Sequence, residues 1–328
     1  MTLKYDPEFA QIMQGFSEKV ADFPSASSTD FEAKRRFYEE ITSEIERRKP
    51  MPADLEISRY LVDAADGHKI PVYRFFQPAK HDARTRKSTA PLAPAILHCH
   101  GGGMVVGSVQ CEKNTLAAKV SSTEVQIFSV DYRLAPEHPH PTLVEDCYAA
   151  LCWLHANSRE QFGIDPARIA VMGESAGGGI AAGVALLGRD RGLCPPLAKQ
   201  ILIYPMLDDR NTIPNPNIEP FAIYKTDDNK VNWTALLGAH AGTEAVSPYA
   251  APARVESVEG LPPTYMDLGD LDIFRDENVK YAMRLILANI QTELHLYPGV
   301  SHGFENIAPG ITITKQALEN RKRAVQSF

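Results

Sequence analysis

The stretch Ile169-Ala170-Val171-Met172-Gly173-Glu174-Ser175-Ala176-Gly177-Gly178 decides how this chain is read. Ile169–Met172 has the composition of a buried strand, and the run from Ile180 to Leu187 has that of a helix. Between them stands G-x-S-x-G. Small residues on both sides of a serine let the backbone turn sharply from strand to helix and expose the hydroxyl above the sheet. A free serine is a poor nucleophile, so the turn predicts a base elsewhere in the chain. Glycines at a helix start can also cradle phosphate. No Lys-Ser/Thr follows these, as a phosphate loop requires.

Working outward, further apolar runs read as strands: 95–99, 125–130, 200–204, 264–268 and 293–297. Amphipathic helices alternate with them, marked by Leu143/Cys147/Leu151/Leu154 and by Val279/Met283/Ile286/Leu287/Ile290. The alternation predicts an α/β fold whose mostly parallel central sheet carries helices on both faces. It opens with a hairpin, residues 56–62 and 70–75 about Asp66-Gly67, which argues against a closed eight-stranded barrel. The polar, basic stretch from Ala79 to Pro94 reads as a surface loop.

Two regions stand outside this rhythm. Before Pro50, Asp6-Pro7 opens a helix with Phe9, Ile12, Met13, Phe16 and Val20 on one face. A second runs from Asp30 with Phe37, Ile41 and Ile45 spaced four apart. Its six acidic and six basic residues between Asp30 and Lys49 read as a solvated face. Residues 205–263 are proline-rich early and helical near Val231–Leu237. We expect residues 1–54 to form a helical cap segment, residues 55–328 a catalytic domain, and residues 205–263 a cap insertion within it.

His100-Gly101-Gly102-Gly103 follows the strand that ends at Cys99. Consecutive glycines let backbone N–H groups converge on one point, as an oxyanion hole requires. A dinucleotide loop is excluded by spacing, since Gly101, Gly103 and Gly107 do not make G-x-G-x-x-G. An acid candidate lies just beyond the strand ending at Leu268, where Asp270 and Asp272 compete. His302, after Pro298-Gly299-Val300-Ser301, sits on a loop suited to a mobile base.

These motifs, with Asp131-Tyr132-Arg133-Leu134-Ala135-Pro136-Glu137, Asp272-Ile273-Phe274-Arg275-Asp276-Glu277 and His302-Gly303-Phe304, resemble the hormone-sensitive-lipase-like branch of the α/β-hydrolases. The resemblance runs from about Leu55 to the C-terminus. It implies a Ser175–His302–Asp272 triad, and it favours Asp272 over Asp270 because Arg275 and Asp276 follow at the family's offsets. It implies an oxyanion hole from the N–H groups of Gly102, Gly103 and Ala176, with His100 and Gly101 supporting the loop. Met104 stands where a bulky aromatic is common, so it bears on pocket shape, as do Phe221 and Tyr224 in the insertion. The expected activity is hydrolysis of a carboxylic ester of a small or medium acyl group through an acyl-enzyme, without cofactor or metal. Amide deacylation and lactone opening use the same machinery. A non-catalytic receptor on this fold would not need all three triad members.

Composition agrees with a folded globular chain. The 328 residues are 44% hydrophobic and 23% charged, enough for a substantial core. A net charge of -7 argues against general nucleic-acid binding. No apolar run reaches the roughly 18 residues a membrane span needs. The N-terminal residues lack the apolar core of a secretory signal, and five cysteines without metal-finger spacing point to a cytoplasmic setting. His98 and His100 could share a strand face as metal ligands, but no matched third ligand is evident nearby. His138 and His140 read as structural, Cys147 and Cys152 as packing, and Asp208-Asp209 and Asp227-Asp228 as solvated turns.

Overall fold

The structure is a computed structural model that describes residues 3–19, 28–81 and 91–328. Its strands are β1 (Glu56–Asp63), β2 (Lys69–Phe76), β3 (Ala93–Cys99), β4 (Gln126–Val130), β5 (Ile164–Glu174), β6 (Lys199–Ile203), β7 (Thr264–Gly269) and β8 (Thr292–Tyr297). They form one sheet in the order β1-β2-β4-β3-β5-β6-β7-β8. β2 runs antiparallel to β1 and β4, and the remaining pairs are parallel. The hairpin and the parallel rhythm read from the sequence are both present.

The helices are α1 (Pro7–Lys19), α2 (Phe31–Arg47), α3 (Pro78–His81), α4 (Lys113–Thr123), α5 (Thr142–Phe162), α6 (Ala176–Asp190), α7 (Thr226–Leu237), α8 (Arg275–Leu287), α9 (Phe304–Ile307) and α10 (Thr312–Val325). Side chains alternate across each strand, so neighbouring residues feed opposite cores. Leu97, Val171, Leu202 and Met266 face one layer, which α5, α6 and α8 cover. Ile96, Ala170, Ile201 and Tyr265 face the other, beneath α4 and α10. Both faces are buried, which is why the central strands are continuously apolar. No helix among the described residues is long and apolar enough to cross a membrane.

Both N-terminal helices start where capping chemistry places them. Asp6 Oδ1 accepts from the N–H groups of Glu8 and Phe9 at 2.9 and 3.1 Å, and Asp30 Oδ1 accepts from Ala33 N–H at 2.9 Å. Phe9 is fully buried, in a cluster with Tyr297, Val300 and Phe304. Ile12 is 43% exposed, so the apolar stripe of α1 is covered in part. The Phe16 side chain and Val20 fall outside the described residues, as do residues 82–90 of the surface loop, which otherwise contains the short α3.

The charged face of α2 is not simply solvated. Arg35 donates from Nε to Val105 O at 2.8 Å and from Nη2 to Ala135 O at 3.0 Å. It also meets both oxygens of Glu137, at 2.8 and 2.6 Å. That pairing draws the Glu137 carboxyl down to about 2. Glu46 is buried against the start of α4, accepting from Thr115 N–H at 3.1 Å and from Thr115 Oγ1 at 2.5 Å. The charges read as one solvated surface are thus split between water and specific docking bonds.

Residues 205–263 also differ from a set of solvated turns. Asp209 is fully buried and paired with Arg254 at 2.5 Å, while Gly242 N–H donates to it at 2.6 Å. Asp228 is partly covered and meets Lys34 of α2 at 3.1 Å, whereas Asp227 is exposed. Glu277 of α8 ties this segment down, accepting from Leu207 N–H at 2.7 Å and Asn211 Nδ2 at 2.8 Å. Buried carboxylates survive only with such partners. Cys147 is buried, but Cys152 is exposed, so packing accounts for the first alone.

Candidate active site

β5 ends at Glu174 and α6 begins at Ala176, leaving Ser175 alone in the turn, with φ 57° and ψ -122°. Such a conformation is strained for a residue with a Cβ and persists only where its surroundings enforce it. Here Ser175 N–H donates to Ile203 O at 2.9 Å, and Ser175 O accepts from the N–H groups of Gly179 and Met206. The flanking glycines are required by close approach. A Cβ on Gly177 would lie 2.1 Å from Cys99 O, and one on Gly173 would lie 2.2 Å from Gly177 O.

His302 reaches this serine from the loop after β8, with Nε2 2.9 Å from Ser175 Oγ. Its Nδ1–H faces Asp272 Oδ2 at 2.6 Å. Asp272 is fully buried, and its other oxygen accepts from Phe274 N–H at 2.9 Å. The rival acid plays a different part. Asp270 Oδ1 accepts from Gly299 N–H at 2.6 Å and so braces the loop that carries His302. Asp6 N–H braces the same loop by donating to Gly299 O at 2.8 Å.

The glycine loop packs beside the serine. Gly102 has φ 121° and Gly103 φ 58°, both left-handed. Gly102 O accepts from the N–H groups of Val105 and Val106, which closes the loop on itself. The N–H groups of Gly102, Gly103 and Ala176 make no hydrogen bond among the described residues. His100 stacks on Tyr132 at 4.1 Å, and Tyr132 Oη donates to His100 O at 2.7 Å. His100 Nδ1 donates to Gly101 O at 2.8 Å. Burial lowers the His100 pKa to about 4, so this brace is a neutral imidazole.

Beneath the turn lies a network that sequence reasoning missed. Glu174, the variable residue of the motif, meets His98 Nε2 at 2.7 Å and is ion-paired with Lys119 of α4. Burial disfavours its carboxylate, but Lys119 and His98 prevail and hold its pKa below the usual range. Glu112 Oε1 accepts from Gly101 N–H at 3.3 Å, joining the glycine loop to the same group. His98, Glu112 and Glu174 bring potential ligand atoms within 4.8 Å of one another, so the strand histidine does have acidic neighbours that spacing did not reveal. His100 is not in this group and stacks on Tyr132. The residue identities hinted at this arrangement only through the acid inside the G-x-S-x-G motif.

Tyr204, just after β6, was also missed. Its ring meets His302 edge-on at 4.6 Å, and its hydroxyl donates to Glu305 at 2.5 Å. Arg321 pairs with both Glu305 (2.6 Å) and Asp267 (2.7 Å), so a buried ion cluster stands behind the histidine. Of the pocket candidates, Met104 lines an apolar cavity of about 10 Å³ with Ala176, Ile180, Met206 and Leu236. Tyr224 leans on His302 at 5.8 Å. Phe221 packs against Tyr5 at 5.1 Å, facing the N-terminal segment.

A mostly parallel sheet with a serine at the β5–α6 turn, hydrogen-bonded to a histidine that a buried aspartate holds in turn, both from loops after later strands, defines the class of α/β-hydrolases. A family model described as alpha/beta hydrolase fold matches residues 96–306, and the chain belongs to that family, in its hormone-sensitive-lipase-like branch. The carboxylic ester hydrolase LipN of Mycobacterium tuberculosis is 33% identical over 237 residues, spanning 70% of this chain and 61% of LipN. The esterase LipI of the same organism is 35% identical over 232 residues, 69% of this chain and 70% of LipI. A bacterial heroin esterase of known structure superposes with a TM-score of 0.86 at 31% identity, covering 98% of this chain and 97% of that one.

Proposed function

We propose that this chain is a serine hydrolase that cleaves a small-molecule carboxylic ester with a short acyl group. The observation that carries this reading is the hydrogen-bond chain from Ser175 through His302 to Asp272, beside three unpaired backbone donors. Ser175 Oγ attacks the ester carbonyl carbon while its proton passes to His302 Nε2. The carbonyl oxygen takes up the negative charge and is held by the N–H groups of Gly102, Gly103 and Ala176. Collapse expels the alkoxide, which leaves as the alcohol with the proton from His302. Water then repeats the sequence on the acyl-enzyme and releases the acid. Asp272 orients the imidazole and stabilises its charged form.

The tight cavity beside Ala176 supports a short acyl group. Its volume of about 10 Å³ is that of roughly one water. Acetyl and propionyl esters should therefore turn over fastest, and octanoyl esters about tenfold more slowly in kcat/KM, because forcing further methylenes into a filled apolar site costs about 1–3 kcal/mol. A chromogenic ester series from acetyl to long acyl tests both claims. Absence of turnover across the series would refute the activity, and a long-chain optimum would refute the size argument.

Residues 1–54 and 205–263 act in this reading as a cap over the open end of the sheet, supported by the Lys34–Asp228 pair and by Tyr5 Oη donating to Phe221 O at 3.1 Å. Arg35 makes the cap more than a lid, because it holds Val105 and Ala135 beside the glycine loop. Arg35→Ala should lower kcat by about tenfold through a loosened oxyanion site, with Ser175 still labelled by a small phosphonate. An unchanged kcat would make α2 a cover without influence on the chemistry. The five free cysteines, two of them fully buried, support a reducing cytoplasmic setting.

A further inference from the structure

Tyr224 spans the two halves of the site. Its ring leans on Phe274 at 5.6 Å and on His302 at 5.8 Å. Its hydroxyl reaches the glycine loop: a Cβ placed on Gly103 would stand 3.4 Å from Tyr224 Oη and 2.2 Å from Asn232 Nδ2. Ser175 Oγ lies 2.9 Å from Nε2 of the same His302 ring. Asn232 of α7 donates from Nδ2 to Tyr224 Oη at 2.9 Å. A phenol that accepts this bond keeps its own proton to give. Asn232 is buried, and its Oδ1 has no partner among the described residues, so the pair is oriented at a cost that a Phe–Leu pair would avoid.

We propose that Tyr224 Oη, aimed by Asn232, is a further hydrogen-bond donor to the acyl oxygen of the ester, joining Gly102, Gly103 and Ala176 as negative charge develops there. The hydroxyl comes from residues 205–263, so their packing beside Gly103 completes the oxyanion site rather than merely covering it. Burial keeps the phenol protonated well past its ordinary range, which preserves the donor. The donor is neutral and packed against Phe274 and the His302 ring, where a hydrogen bond to developing charge is stronger than in water.

The proposal rests on the ester-hydrolase reading, which the parent protein's own turnover and Ser175 labelling test separately. Tyr224→Phe retains the ring and its contacts. It should lower kcat by about 10- to 100-fold while KM changes less than about threefold. Affinity for a trifluoromethyl ketone, whose adduct with Ser175 carries the oxyanion, should fall by the same factor as kcat/KM. Asn232→Leu should give a smaller loss, and the double variant should match Tyr224→Phe alone, because the amide acts through the phenol. With an active parent, a kcat within twofold after Tyr224→Phe, a rise confined to KM, or unchanged ketone affinity would each overturn the assignment and leave the hydrolase reading intact. Thermal melting of each variant, expected to stay near the parent's, separates these outcomes from loss of fold.

Discussion

Ser175→Ala is expected to leave a folded protein whose ester turnover falls by roughly 10^4- to 10^6-fold, the scale on which removing a triad serine acts. The fold should survive because the structural bonds of Ser175 are made by its backbone. Its N–H reaches Ile203 O, and its carbonyl accepts from Gly179 and Met206. None of these changes with the side chain. Alanine also tolerates the φ of 57° about as well as serine does, so little strain is added. What disappears is the oxygen that His302 Nε2 meets at 2.9 Å. Residual turnover would come from the backbone donors and from substrate positioning. The measurement is kcat/KM on an acetyl ester beside labelling by a serine-directed phosphonate, which should mark the parent and not the variant. Substantial turnover or persistent labelling in the variant would place the nucleophile elsewhere.

That expectation could be written from ten residues, and the reason is physical. A nucleophile turn is a local solution: strand, sharp turn, helix and small flanking residues are all contiguous, so pattern and composition suffice. The buried strands were legible for the same reason, because both faces of β3, β5, β6 and β7 are covered and their apolar runs are unbroken. The glycine loop was legible because it adjoins a strand end. The roles of Asp270 and Asp272 were not, from local pattern alone. Both follow β7, and only the fold shows that Asp270 faces the Gly299 N–H while Asp272 faces His302.

What remained hidden depends on long separations in the chain. Arg35 meets Val105 across seventy residues, and Lys119 meets Glu174 across fifty-five. A charged residue on a helix face reads the same whether it ends in water or on a carbonyl, so α2 looked like a solvated surface. Asp209 looked like a turn residue because its partner Arg254 lies forty-five positions away. The same limit applied to Asn232, and to Tyr224 beyond its reading as a pocket residue. They come from a segment without strand rhythm, and only the fold sets their hydroxyl and amide beside Gly103. These tertiary polar bonds join residues 1–54 and 205–263 to the part of the chain that carries the motifs. They make the site a product of both, although the motifs come from one.

Asp272→Asn should cost roughly 10^3- to 10^4-fold in kcat/KM, and Asp270→Asn less than about tenfold. The two acids lie two residues apart, so the contrast tests geometry rather than charge. In the parent, Asp272 Oδ1 accepts from Phe274 N–H and Oδ2 from His302 Nδ1–H, within a fully buried site. Asparagine can keep its oxygen on Phe274 N–H, but its amide N–H group then faces His302 Nδ1. Two donors cannot share that contact. The imidazole must move its proton to Nε2, where it can no longer accept from Ser175. Turning the amide over restores the histidine bond but sets N–H against the Phe274 N–H instead, and either way the charge that stabilises the imidazolium is gone. Asp270 is under a milder demand, because an asparagine oxygen can still accept from Gly299 N–H at the 2.6 Å contact. The loop then stays braced, with Asp6 N–H on Gly299 O as a second tie. Steady-state kinetics on one short-acyl ester, together with phosphonate inactivation rates for both variants, reads the difference directly. A larger loss from Asp270→Asn than from Asp272→Asn would exchange their roles, and comparable small losses would remove the acid from the mechanism.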